Sequence, residues 1–120
     1  MKGEFTEAKT LYTKALPIVA EKFSETDWLV GDIHVKIATI EQGKNRLVSA
    51  VEHLKKAQTA YEASIEEDNE NDTVSYLKLI EIKTNIANLL LDMGELNKAD
   101  KIYQVRFSLL YVLRRHEIFN

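Results

Sequence analysis

The sequence predicts an all-α chain of about five helices, paired as antiparallel hairpins. Three observations lead there. Stretch 84–104 carries two apolar stripes at helical spacing with a glycine between them. The same pattern recurs elsewhere in the chain. The composition holds only one Pro and four Gly, and few segments alternate with the period of a strand.

Stretch 84–104 is the clearest. Ile86, Leu89, Leu90 and Met93 form one stripe. Gly94 ends it, since glycine takes the left-handed conformation that closes a helix. Leu96, Ala99, Ile102, Tyr103 and Arg106 then begin a second stripe. Ala99 is small, so two helix axes can approach there, and Tyr103 lies one turn later on the same face. A small residue at one level and a large one at the next lets antiparallel helices interdigitate.

Two further copies are visible. Gly3-Glu4-Phe5-Thr6-Glu7-Ala8 aligns with Gly94-Glu95-Leu96-Asn97-Lys98-Ala99, and Ala8-x3-Tyr12 repeats Ala99-x3-Tyr103. Between them, Ile37-Ala38 matches Ile86-Ala87, Asn45 takes the turn-glycine place, and Ala50-x3-Leu54 gives the small–large pair. Asparagine also tolerates the left-handed conformation. Ala57 matches Ala15.

This pattern resembles a tetratricopeptide repeat, whose unit of about 34 residues joins a W-x2-L-G-x2-Y helix to an A-x3-F helix. Ile86-Ala87 and Leu90 stand at the L-G and Y positions, Gly94 at the turn, and Ala99-x3-Tyr103 at A-x3-F. Lys83 falls where the family has Trp, and His34 replaces that aromatic in the preceding copy. The steps are long, 42 residues from Ala8 to Ala50 and 49 from Ala50 to Ala99. The first is similar to the kinesin-light-chain type. The resemblance implies one domain over residues 1–120, a short right-handed solenoid of about two and a half repeats. It implies a non-catalytic scaffold that takes a peptide or partner helix on its concave face.

Taken in order, the first helix is expected over residues 4–23, bent at Pro17, which removes one backbone hydrogen bond. The second is expected over 26–42, with Ser24 and Asp27 as a capping box, and the third over 46–66. Stretch 62–72 holds six acids and no bases, so part of the surplus length is expected to be a solvated loop. Asp72 or Thr73 caps a fourth helix over 74–93. The fifth is expected over 96–117.

Groove-facing positions on the first helix of each pair, as the resemblance places them, are Asp32, Val35, Thr39 and Gln42, then Glu81, Thr84, Asn88 and Asp92. The amides of Gln42 and Asn88 offer both donor and acceptor to a peptide backbone. Asp32, Glu81 and Asp92 favour a basic partner. A plain solvated face is the competing reading. Trp28, at a helix start, is expected to pack rather than to anchor a partner.

The fifth helix is apolar all round: Val105, Phe107, Leu109, Leu110, Tyr111, Val112, Leu113, Ile118 and Phe119. Such a helix is expected to be covered on all sides. Phe107, Leu109, Tyr111, Val112 and Leu113 are therefore candidate contacts with another chain. The alternative is that Phe107 and Leu110 alone face the core. The helix that should precede Gly3 is missing from the pattern. Hence the chain reads either as a piece of a longer solenoid or as one whose first helix pairs with another copy. Self-association through uncapped ends, and a regulatory subunit sensing a small ligand, are the alternatives to the scaffold.

Net charge is −3 and pI about 5.6, which argues against a nucleic-acid footprint. Arg114 and Arg115 suit the last turn of a helix, where cations offset its dipole. The chain has no Cys, hence no disulfide framework or thiolate site. Apolar runs such as 109–113 are too short to span a bilayer. No secretory leader pattern opens the chain, and a cytoplasmic protein is expected. His34, His53 and His116 form no metal-ligand spacing and read as structural, and no nucleophile motif or phosphate loop is present. Neither metal, cofactor nor enzymatic activity is expected.

Overall fold

The computed structural model describes residues 2–68 and 73–119, and those residues form five α-helices and no strand. They are α1 (Lys2–Lys22), α2 (Trp28–Gly43), α3 (Leu47–Asp68), α4 (Thr73–Asp92) and α5 (Leu96–Phe119). The all-α class holds, and each expected boundary lies within two residues of the observed one. Each helix packs chiefly on its neighbours in the chain: α1 on α2, α2 on α3, α3 on α4 and α4 on α5. The molecule measures 49 × 38 × 21 Å. Its smallest extent is about two helix diameters.

Two turns of the same design make the hairpins. At the end of α2, the Arg46 amide donates to the Glu41 carbonyl (2.8 Å) and the Asn45 amide to that of Gln42 (2.9 Å). At the end of α4, Glu95 donates to Leu90 (2.8 Å) and Gly94 to Leu91 (2.9 Å). This is the paired hydrogen bonding of a Schellman motif, which needs a left-handed residue at its hinge. Asn45 (φ 60°) and Gly94 (φ 82°) supply it. Both were expected from the sequence. Gly3 was expected at a third such turn, but it lies inside α1.

The main core cluster joins Ala38 of α2, Ala50, Val51, Leu54, Ala57 and Tyr61 of α3, Leu79, Ile82, Ile86, Ala87, Leu89 and Leu90 of α4, and Ala99 of α5. Ala50, Ala57 and Ala60 are fully buried on α3. Their missing bulk lets neighbouring axes come close. The tightest approach is at Gly31, where an added Cβ would sit 3.1 Å from the Ala60 Cβ and 3.2 Å from the Tyr61 ring. Ala8 is only half-buried, and α1 contributes nothing to this cluster.

Three local expectations change. Helix α3 ends at Asp68, two residues beyond its expected end, and so takes up more of the surplus length. A run of acids does not break a helix whose opposite face is anchored by Tyr61 and Ser64. Asp72 lies outside the described residues. The α2 cap is Asp27 alone: its carboxylate accepts from the Leu29 amide (2.9 Å). Ser24 (φ 144°) instead accepts from the Thr26 amide (3.2 Å) within the turn. As expected, Pro17 lies inside α1. Met93 and Leu96, assigned to the apolar stripes, are exposed beside the Gly94 turn.

The two glycines at helix ends should respond oppositely to alanine. Gly94→Ala forces a Cβ into the left-handed region and should cost about 1–2 kcal/mol. Gly43→Ala, where a helical Cβ meets nothing within 4 Å, should be neutral or gain up to about 1 kcal/mol. Urea denaturation of the two variants checks both signs.

Candidate functional site

An open groove of about 610 Å³ lies between α2 and α4, with α3 behind it. Trp28 and Asp32 come from α2, Tyr61 and Ser64 from α3, and Val74, Ser75, Leu77, Lys78 and Glu81 from α4. Helices α2 and α4 are the first members of the two hairpins, so the groove runs along corresponding faces of successive pairs.

Asp32 and Glu81, expected on this face from the sequence, line the groove together. Asp32 is tied to its floor, because the Tyr61 hydroxyl donates to its carboxylate. That bond orients one acid over a buried aromatic ring, while Glu81 is exposed. Lys78 is the cation among the lining residues.

The other expected groove residues divide. Val35 is half-buried and packs against the core. The hydroxyls of Thr39 and Thr84 donate back to the carbonyls of Val35 (3.0 Å) and Ile80 (2.8 Å). A hydroxyl bonded within its own helix presents little polarity to a ligand. Asn88 accepts from the Tyr103 hydroxyl through its carbonyl oxygen, so its amide is oriented by α5. Gln42 and Asp92 are exposed near the C-terminal ends of α2 and α4 and are not among the groove-lining residues.

Trp28 departs from expectation. It is 51 % exposed at the groove's edge, not packed away. Its position in the first turn of α2, ahead of the α2–α3 crossing at Gly31, leaves the ring without a covering helix. Val74 and Leu77 are exposed on the α4 side. The groove therefore combines an indole, two aliphatic side chains and two carboxylates.

On α5, Phe107 (73 % exposed), Tyr111 and Val112 face solvent. Leu113 is buried at 8 % and is withdrawn as an intermolecular contact, since it already packs within the chain. Leu109 is half-buried against the core, and Leu110 is half-buried as well. The reading in which Phe107 faces the core fails, because α5 turns that side away from α4. The side chains of His116, Ile118 and Phe119 lie outside the described residues.

A second polar cluster went unread in the sequence. His34 of α2 is buried, and its Nδ1 lies 2.9 Å from Nδ1 of His53 on α3. Two turns further along α2, Glu41 is only 2 % exposed and pairs with Lys9 of α1 at 2.9 Å. Arg46 approaches its other oxygen at 3.8 Å. Burial first, then His53 and Lys56, lower the pKa of His34 from 6.5 to about 4. Burial first, then Lys56, also lower that of His53, against the opposing pull of Glu41 and Glu52. For Glu41, burial alone would raise the pKa, but hydrogen bonds from Lys9 and Ser49 and the charges of Lys9 and Arg46 bring it below 4.5. The partners come from different helices 19 and 32 positions apart in sequence (53 − 34 and 41 − 9), which is why no local motif announced them.

Among the described residues, no group of three or more His, Cys, Asp or Glu could hold a metal ion. No described helix is long and apolar enough to cross a membrane. No protein-family model matches the chain, and no curated protein matches it.

Lys9→Met should leave Glu41 with only the longer Arg46 contact and the Ser49 hydrogen bond. A loss of about 2–3 kcal/mol is expected, below the cost of breaking a fully buried ion pair because the Lys9 side chain is 31 % exposed. Because the Glu41 pKa is lowered, the contribution of its carboxylate to folding is present above 4.5 and lost as pH falls further. Chemical denaturation of wild type and variant at neutral and acid pH measures both effects.

Proposed function

We propose that this chain is a tetratricopeptide-like scaffold whose hairpins form a short right-handed solenoid, and that it binds a basic peptide or partner helix in the groove between α2 and α4. The observation carrying the reading is that Asp32 and Glu81 meet beside an exposed Trp28 in one groove. An uncovered indole supplies apolar area to a partner and attracts a Lys or Arg to its face. Two carboxylates steer the same cations toward it. The repeated Asn45 and Gly94 turns, each followed five residues later by a buried alanine (Ala50 and Ala99), support the repeat assignment. A cytoplasmic setting is part of this proposal.

A second reading is favoured by one observation of its own. Phe107, Tyr111 and Val112 on α5, and Leu11 and Ile18 on α1, are exposed apolar side chains on the two outer helices. Exposed patches of this kind also mediate self-association. A monomer in light scattering at micromolar concentration would count against it.

Selection from a library of short random peptides should enrich sequences carrying Lys or Arg together with an apolar residue. Binding of the enriched peptides should weaken about tenfold or more in Trp28→Ala and in Glu81→Lys. It should be unchanged in Thr39→Ala, where the hydroxyl is bonded within α2. Peptides indifferent to both groove changes would place the site elsewhere.

A further inference from the structure

We propose that the His34–His53 pair is a proton-operated latch for α1, which holds α1 against α2 when the pair is neutral and releases it on acidification. The geometry around the pair sets this up. With the two Nδ1 atoms 2.9 Å apart, one ring donates and the other accepts, so a single proton lies between them. The doubly protonated pair would turn two N–H groups against each other and lose the bond. The rings are also close enough, 5.1 Å between centroids, for two positive charges to repel strongly in a buried setting.

The surrounding charges direct that repulsion toward α1. Lys9 comes from α1, Glu41 from α2, Glu52 and Lys56 from α3, and Arg46 from the turn between α2 and α3. Lys9 is held by Glu41 at 2.9 Å and opposes a charge on His53. A protonated His53 thus repels Lys9 and competes with it for Glu41. α1 packs chiefly on α2 through one half-buried face that includes Tyr12, Leu16 and Val19, and contributes nothing to the main core cluster. A cavity of about 450 Å³ between α1 and the α2–α3 hairpin is lined by Leu16, Pro17 and Ala20 of α1, by Glu25 of the turn that follows it, and by His34 and Lys56, among others. That cavity brings solvent protons to the His34 ring.

The direction follows from linkage. Burial holds both imidazoles below their ordinary pKa in the folded chain; release of α1 would remove its share of that burial and the Lys9 charge beside His53, so the released state binds more protons. The latch is therefore fully stable above pH 6.5. It weakens as pH falls from 6.5 toward about 4, where His34 itself titrates in the folded chain.

Hydrogen exchange on the full chain, read by mass spectrometry at about pH 7 and about pH 5 and corrected for intrinsic rates, tests this. In the wild type, α1 amides should lose protection by about tenfold at the lower pH, while α4 and α5 keep theirs. His53→Gln and, separately, the double variant H34L/H53L should show α1 protection that no longer changes between the two conditions. Lys9→Met should loosen α1 at both. Unchanged wild-type protection of α1, a loss shared equally by α4 and α5, or a loss persisting in the double variant would each overturn the latch. If neither histidine variant folds, the wild-type comparison of α1 with α4 and α5 decides alone.

Discussion

The close approach of α3 to its neighbours is the constraint on which the architecture depends. α3 is the middle helix and carries fully buried alanines at 50, 57 and 60. α2 answers with Gly31, where an added Cβ would press on Ala60 and the Tyr61 ring at 3.1–3.3 Å. Side chains this small contribute little burial of their own. What they provide is proximity, which lets Leu54 of α3 and Ile82, Ile86 and Leu89 of α4 lose nearly all contact with water. It also brings the Tyr61 hydroxyl within reach of Asp32. The groove and its oriented carboxylate are thus by-products of packing that is settled one layer beneath them.

How much of this was legible depended on whether the determining interaction was local. Gly94 and Asn45 could be read as hinges because a left-handed residue between two apolar stripes has few other uses. The alternation of Ala50 with Leu54 and Ala99 with Tyr103 could be read because residues one turn apart share a helix face. The helix continues two residues further into the acidic stretch than its composition suggests, because the burial of Tyr61 and Ser64 that anchors it is not visible in a run of acids. Trp28 was misjudged for a related reason: average burial says little about a ring in a first turn that no later helix covers. Of the eight expected groove positions, Asp32 and Glu81 line the groove; the other six lie further along α2 and α4, beyond the N-terminal stretches that form it.

The polar interior was the least legible part. Lys9, Glu41, His34 and His53 make sense only once three helices are laid side by side. Glu41 illustrates the point. On α2 it occupies the register that Leu90 occupies on α4, 49 residues later, and both are buried. A leucine there needs only apolar neighbours. A glutamate needs a cation, and α1 delivers it through Lys9. The two hairpins thus share one backbone plan but differ in how the same position is satisfied: one by oil, the other by charge.

The hinge turns at Asn45 and Gly94 are closed by the same pair of main-chain hydrogen bonds. No side chain is required to hold them, only tolerance of one backbone conformation. Each hairpin can therefore exchange its surface residues without altering the angle at which its two arms meet. Recognition and shape are decoupled, so new specificities can be written on the arms while the joints stay as they are.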